Sequence, residues 1–141
     1  MIIADSGFWV ALVNPDDKHY QIAVRILKKI DEPLITTYPV ITEVCHLLLK
    51  RRGKMSMLSF VESYQQDAFN IFQIETAQHK QRIFALMQQY ADLPMDFADA
   101  SLVLLAEELG HGRIVSTDRR DFHTYRWKNH QPFSNLLEGV L

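Results

Sequence analysis

Short apolar runs alternate along this chain with longer stretches in which apolar residues recur every third or fourth position. The first kind is too short for independent helices and reads as buried strand; the second reads as amphipathic helix. Residues 1–4 form such a run, ending at Asp5, and residues 34–37, 69–74 and 113–116 form three more. Between them, residues 8–13 read as a short helix closed by Asn14 and Pro15. A second helix carries Ile22, Ala23, Ile26, Leu27 and Ile30 at helical spacing, with Asp16, Asp17 and His19 as its solvated start. Pro39 suits the first position of a third, whose stripe is Val40, Ile41, Val44, Leu47 and Leu48. Residues 56–64 read as a fourth. Thr76 caps a fifth that runs to about Tyr90, with Ile83, Phe84, Met87 and Tyr90 facing inward, while His79 has no evident partner. In the tail, one edge strand is expected near residues 125–127 and little defined structure after Pro132.

One helix differs from the rest. Behind Pro94 and ahead of Gly110 and Gly112, it carries Phe97, Ala98, Ala100 and the run 101–106, so it is apolar on nearly every side and predicted to be buried. Its start holds Asp96 and Asp99, three residues apart and on one face. Unpaired charge in a buried element is costly, so a cation is the simplest compensation. Taken alone, the two acids read as well as an N-cap and a first-turn acid favoured by the helix dipole.

Strands alternating with helices imply an α/β domain with a parallel sheet covered on both faces. In such a sheet the C-terminal strand ends share one edge, where ligands bind. Asp5 and Asp118 each follow a strand directly. Glu43, Asp96 and Asp99 are expected in first turns of helices entering from the same edge. Each acid alone reads equally as a cap, but caps have no reason to converge, whereas this architecture can gather them. Carboxylates gathered in one dent repel one another, which raises some pKa values, and a divalent cation reverses that penalty. Oxygen ligands select Mg²⁺ or Mn²⁺ over zinc.

Composition narrows this only slightly. The 141 residues suit a single domain, 1–141, and the net charge of −2 gives no global attraction to nucleic acid or membrane. A local basic patch would suffice for RNA. Arg119, Arg120 and the cluster Lys50, Arg51, Arg52 and Lys54 are the candidate phosphate contacts, although such clusters also complement helix C-termini. The lone Cys45 fits a reducing compartment. The start lacks the basic and apolar regions of a signal peptide, and no stretch approaches a membrane span, so a cytoplasmic location is expected.

There is no Cys/His pattern at zinc spacing; His123 and His130 lack cysteine partners. There is no glycine-rich phosphate loop, and Ser6 and Ser101 lack a His/Asp set. An acidic pocket without a nucleophile suits metal-assisted phosphodiester hydrolysis. Four motifs in order, Ile2-Ile3-Ala4-Asp5-Ser6-Gly7, Thr42-Glu43-Val44, Asp96-Phe97-Ala98-Asp99-Ala100-Ser101-Leu102 and Ile114-Val115-Ser116-Thr117-Asp118, resemble those of PIN-domain proteins, in particular the small VapC-type toxin ribonucleases. The resemblance covers essentially the whole chain.

It implies a three-layer α/β/α sandwich with a central parallel sheet of about five strands. It also implies a Mg²⁺ or Mn²⁺ site built from Asp5, Glu43, Asp99 and Asp118, with Asp96 as an accessory. Ser116 or Thr117 matches the small hydroxyl residue ahead of the last acid. By the same resemblance the chain is a metal-dependent endoribonuclease, the toxin of a type II toxin–antitoxin pair, held by a protein antitoxin and often homodimeric. A free-standing PIN nuclease in RNA processing carries the same motifs. A non-catalytic PIN-like scaffold is the alternative of another class. A phospho-acceptor receiver domain is disfavoured, because no acid pair stands at the first strand end.

Overall fold

The computed structural model describes residues 1–118 and 120–140; Arg119, one of the candidate phosphate contacts, lies outside the described residues. Ile2, Ile3 and Ala4 are wholly buried and form β1 (Ile2–Ala4), the middle strand. The chain continues through α1 (Ser6–Val13), α2 (Tyr20–Lys29), β2 (Leu34–Thr37), α3 (Tyr38–Arg51), α4 (Lys54–Gln65) and β3 (Asn70–Phe72). Then come α5 (Ala77–Gln89), α6 (Phe97–Leu109), β4 (Arg113–Val115), α7 (Asp121–Thr124), β5 (Arg126–Trp127), β6 (Gln131–Pro132) and β7 (Ser134–Asn135). The main sheet has five strands in the order β3-β2-β1-β4-β7, all pairs parallel. The chain leaves β1 toward β2 on one side and returns at β4 on the other, so β1 sits at the point where the strand order reverses. Crevices for ligands open outside the strand ends at that point.

The tail departs from expectation. Residues 126–127 do not extend the main sheet but pair antiparallel with β6 as a separate ribbon. The fifth strand of the sheet is β7, beyond Pro132, aligned on Arg113 and Ile114. A two-residue strand carries too little periodicity to be read from sequence. What holds it is packing. Phe122 contacts Tyr125 and Phe133 edge-on at 5.3 and 5.2 Å, Tyr90 meets Tyr125 at 5.1 Å, and Leu137 is fully buried.

Three other expectations change. On α5, Phe84 is 66% exposed while Ile83 and Leu86 are buried. Its neighbours Ile83, Leu86 and Met87 set the face, and one residue turns the helix by roughly 100°, enough to carry Phe84 off it. His79 is not a bare surface residue. Its Nδ1 accepts the Thr76 and Glu75 N–H groups at 3.3 Å each, its Nε2 lies 2.6 Å from Glu108, and with Thr76 it forms a reciprocal cap for α5. The first helix, expected from residue 8, already begins at Ser6, so Asp5 leads straight into α1.

The buried helix is α6, in which Ala98 and Ala100 through Ala106 are buried; Phe97 is the exception, at 49% exposure. Gly110 ends it with φ 76°, a left-handed C-cap that glycine adopts without a Cβ penalty. The Thr37 and Ser101 hydroxyls, 2.6 Å apart and fully buried, tie α6 to the end of β2. Among the described residues, no helix is long and apolar enough to cross a membrane.

Candidate metal centre

The central strand delivers Asp5 to the sheet edge and α1 starts immediately after it. Asp5 is the N-cap of α1: its Oδ1 accepts the Ser6 N–H at 2.6 Å. Its Oδ2 accepts the Ser116 hydroxyl at 2.9 Å, from the end of neighbouring β4. Capping therefore does not compete with a site role, because one carboxylate does both. Burial pushes the Asp5 carboxyl up to about 7 despite these two hydrogen bonds, and the negative charges of Glu43 and Asp118 add to the shift.

Asp96 and Asp99 divide their labour. Asp96 is exposed, and its Oδ1 caps α6 by accepting the Asp99 N–H at 2.8 Å. Asp99 is partly buried, and burial with the charges of Asp96 and Asp5 raises it to about 8. The Tyr125 hydroxyl, on a fully buried side chain, donates to Asp99 Oδ2 at 3.2 Å and favours its ionised form.

Glu43 stands in the second turn of α3, not the first as expected, because that helix starts at Tyr38. Two turns of helix still leave it at the sheet edge. Burial and Asp96 raise its pKa, while the Ser6 hydroxyl lowers it without completing a hydrogen bond.

Asp118 lies in the loop after β4. Burial opposes its ionisation, but the Asp121 side chain and the N–H groups of Asp121 and Arg120, at 3.2 and 3.0 Å, outweigh it and hold the carboxyl low. The paired Asp121 is correspondingly raised to about 6, by burial first and Asp118 second.

The structure thus brings Asp5, Glu43, Asp96, Asp99 and Asp118 to one edge, with Asp121 joining them. Sequence reasoning undervalued Asp121 and missed Tyr125. The three-residue spacing of Asp118 and Asp121 was a signal for the first; no local signal marks the second. The Asp16 carboxylate and the Arg52 guanidinium are elsewhere and paired with each other.

Two further contacts set the geometry. A Cβ on Gly7 would lie 2.1 Å from Thr117 Oγ1, so with Thr117 in place glycine lets α1 start this close to the loop that carries Asp118. Asn135 of β7 accepts the Ser116 N–H at 3.1 Å and donates to the Ser116 carbonyl at 2.9 Å, adding a side-chain rung beyond the β4–β7 ladder.

Among the described residues, no three acidic, histidine or cysteine side chains stand close enough together, as placed, to hold a metal ion. The donors nevertheless fit a hard divalent cation. They are carboxylates only, two of them are pushed up to about 7 and about 8 by burial and mutual repulsion, and Ser6 Oγ is buried without a hydrogen-bond partner. Mg²⁺ commonly keeps several waters, so an open arrangement suits it.

Two of the solved structures to which the chain is similar are toxins or toxin complexes. One is VapC20 of Mycobacterium tuberculosis, a Sarcin-Ricin loop cleaving toxin, at 19% identity and TM-score 0.78 over 85% of this chain and 92% of that one. The other is a toxin–antitoxin complex from Klebsiella pneumoniae, at 17% identity and TM-score 0.62 over 88% and 92%. These likenesses are of fold. No curated protein matches significantly. The PIN domain model, however, matches residues 2–128, a span that takes in every acid of this edge, and on that match the chain belongs to the PIN domain family.

Proposed function

We propose that this chain is a metal-dependent endoribonuclease that hydrolyses phosphodiester bonds of single-stranded or loop RNA, and that it is the toxin of a type II toxin–antitoxin pair. The observation that carries the reading is the meeting of acids from four separate segments around the buried Asp5, with no ion pair to Asp5, Glu43 or Asp99 among the described residues. In this reading Asp5 and Asp99 hold the principal Mg²⁺ or Mn²⁺, Glu43 and Asp118 complete the site directly or through waters, and Asp96 is an accessory. When bound, the metal supplies Lewis-acid charge to the scissile phosphate and lowers the pKa of a water.

The protein's part is to orient. Ser116 and the Ser6 N–H fix both oxygens of Asp5, and Tyr125 fixes one oxygen of Asp99. Arg120 and the Lys50–Lys54 cluster are proposed phosphate contacts, so RNA affinity should fall with salt. Arg52 is the weakest member, because Asp16 already pairs it. The cut of a Sarcin-Ricin loop by the VapC20 relative and the antitoxin bound in the Klebsiella complex support a structured RNA loop and a protein antitoxin here. A single domain over 1–141, a homodimer and a cytoplasmic location belong to the same proposal.

The test is cleavage of labelled single-stranded RNA with Mg²⁺ or Mn²⁺, beside EDTA and a folded Asp99→Asn variant. Cuts lost under both controls are expected. Cuts that survive EDTA, or no cut in any RNA including tRNA and ribosomal fragments, would overturn the reading.

A further inference from the structure

Phe97 is the one large apolar side chain of α6 that the fold leaves exposed. Its helix buries Ala98 and every residue from Ala100 to Ala106, yet the Phe97 ring is 49% exposed. An exposed phenylalanine forgoes burial free energy that a polar residue in a first turn would not. It follows Asp96 directly, and so stands at the rim of the acidic edge.

Two open depressions meet at this ring. One contains Thr42, Glu43, His46 and Asp96. The other contains Tyr38, Phe72, Ile74 and Lys80. Phe97 and Pro39 line both, so together they form the ridge between them. One side of the ridge is acidic; the other is aromatic and carries an exposed ammonium, Lys80, that makes no ion pair among the described residues. Tyr38, itself 42% exposed, is held by a 2.8 Å contact between its hydroxyl and that of Tyr64.

We propose that Phe97 is a base-stacking platform for an unpaired nucleotide beside the scissile phosphate, with Lys80 contacting the backbone phosphate beyond it. The proposal rests on the nuclease reading above and gives its substrate a direction: the strand passes from the acids, over the Phe97 ridge, into the Lys80 depression. Chemistry favours RNA over a protein anchor. Every base offers a π face, stacking tolerates any sequence, and a cation just past an aromatic suits the repeating phosphate. A protein anchor calls for an enclosed apolar pocket, and both depressions are open. A base stacked inside a duplex has no free face to give, so this platform selects unpaired RNA.

The experiment uses a short single-stranded RNA with one 2-aminopurine placed in turn at each position. Binding is read by fluorescence quenching with the Asp99→Asn protein, and cleavage with the otherwise native enzyme. Phe97 is exposed, so Phe97→Ala should fold normally, which thermal melting checks. The expected result is quenching at one position that Phe97→Ala abolishes and Phe97→Trp restores. KM should rise about ten-fold in Phe97→Ala, with kcat held within about two-fold. Lys80→Ala should lower the salt dependence of binding by about one counterion without removing the quenching.

Cleavage that needs metal and Asp99 while Phe97→Ala leaves KM and quenching unchanged would sink the platform alone. Loss of inhibition by an antitoxin with RNA handling intact would likewise overturn it, in favour of a protein contact. Phe97-dependent quenching without any cleavage would uphold the platform and overturn the nuclease. Neither quenching nor cleavage would overturn both.

Discussion

The Tyr125 hydroxyl donates to Asp99 Oδ2 across 26 residues of sequence, and so joins the aromatic packing of the tail to the acidic edge. Tyr125→Phe keeps the ring contacts with Tyr90 and Phe122 and removes only this donor. The Asp99 carboxyl should then rise further, because the hydrogen bond favours its charged form. The pH profile of cleavage should move to higher pH, with activity at neutral pH down about ten-fold, in line with a hydrogen bond to a charged group. An unmoved profile would show that Tyr125 does not tune Asp99.

Without metal, the protein should lose stability as pH rises. Asp5 and Asp99 have folded values near 7 and 8, above the usual 3.8. Their contribution is fully present below about pH 4 and is lost as pH rises through 7 and 8, because ionising them in place is unfavourable. Glu32 works in the opposite sense. Arg113 and the N-terminal amine hold it near 2, so its contribution is present above 4.5 and is lost only as pH falls toward 2. Melting in EDTA between about pH 5.5 and 8.5 therefore leaves Glu32 out and reads the raised acids, Asp5 and Asp99 together with Asp121 and Glu43, and Tm should fall across that window and recover with Mn²⁺. A Tm that is flat or rising with pH in EDTA would contradict the burial assigned to these acids.

Asp99→Asn should abolish cleavage and yet raise Tm in EDTA at pH 8 by about 3 °C or more, since it removes a charge the fold cannot solvate. The asparagine oxygen can still accept from Tyr125. A variant that is inactive and also destabilised would mean that the loss of activity reports misfolding.

How much of this was legible in the chain depends on how local the signal is. Asp5, Asp99 and Asp118 stand directly after a strand or inside a strongly apolar helix, so their neighbours announce both the element and its end. Glu43 is legible as a site acid but not to the turn, because Tyr38 joins the helix ahead of Pro39 with no cap to mark it. His79, Tyr125 and Asn135 work through partners 29, 26 and 19 residues away, and nothing beside them in sequence specifies those partners. Phe97 and Phe84 look like core by residue type alone; helix phase puts them outside.

Gly7 gives a test of the close approach to Thr117. Gly7→Ala should cost about 1–3 kcal/mol by overpacking. Thr117→Ala removes Oγ1 and leaves the next contact at 3.5 Å, which is ordinary packing, so the double variant should regain most of the lost stability. Additive losses in the double variant would place the clash elsewhere.

The bridge from Asn135 to Ser116, and from Ser116 to Asp5, also has an order in time. The hydroxyl that holds Asp5 comes 111 residues after it in the chain, and the side chain that steadies that hydroxyl's backbone is 19 beyond that. Throughout most of its own synthesis the nascent chain carries its acids without the frame that aligns them. On the nuclease reading proposed above, cleavage therefore waits for β7 to dock.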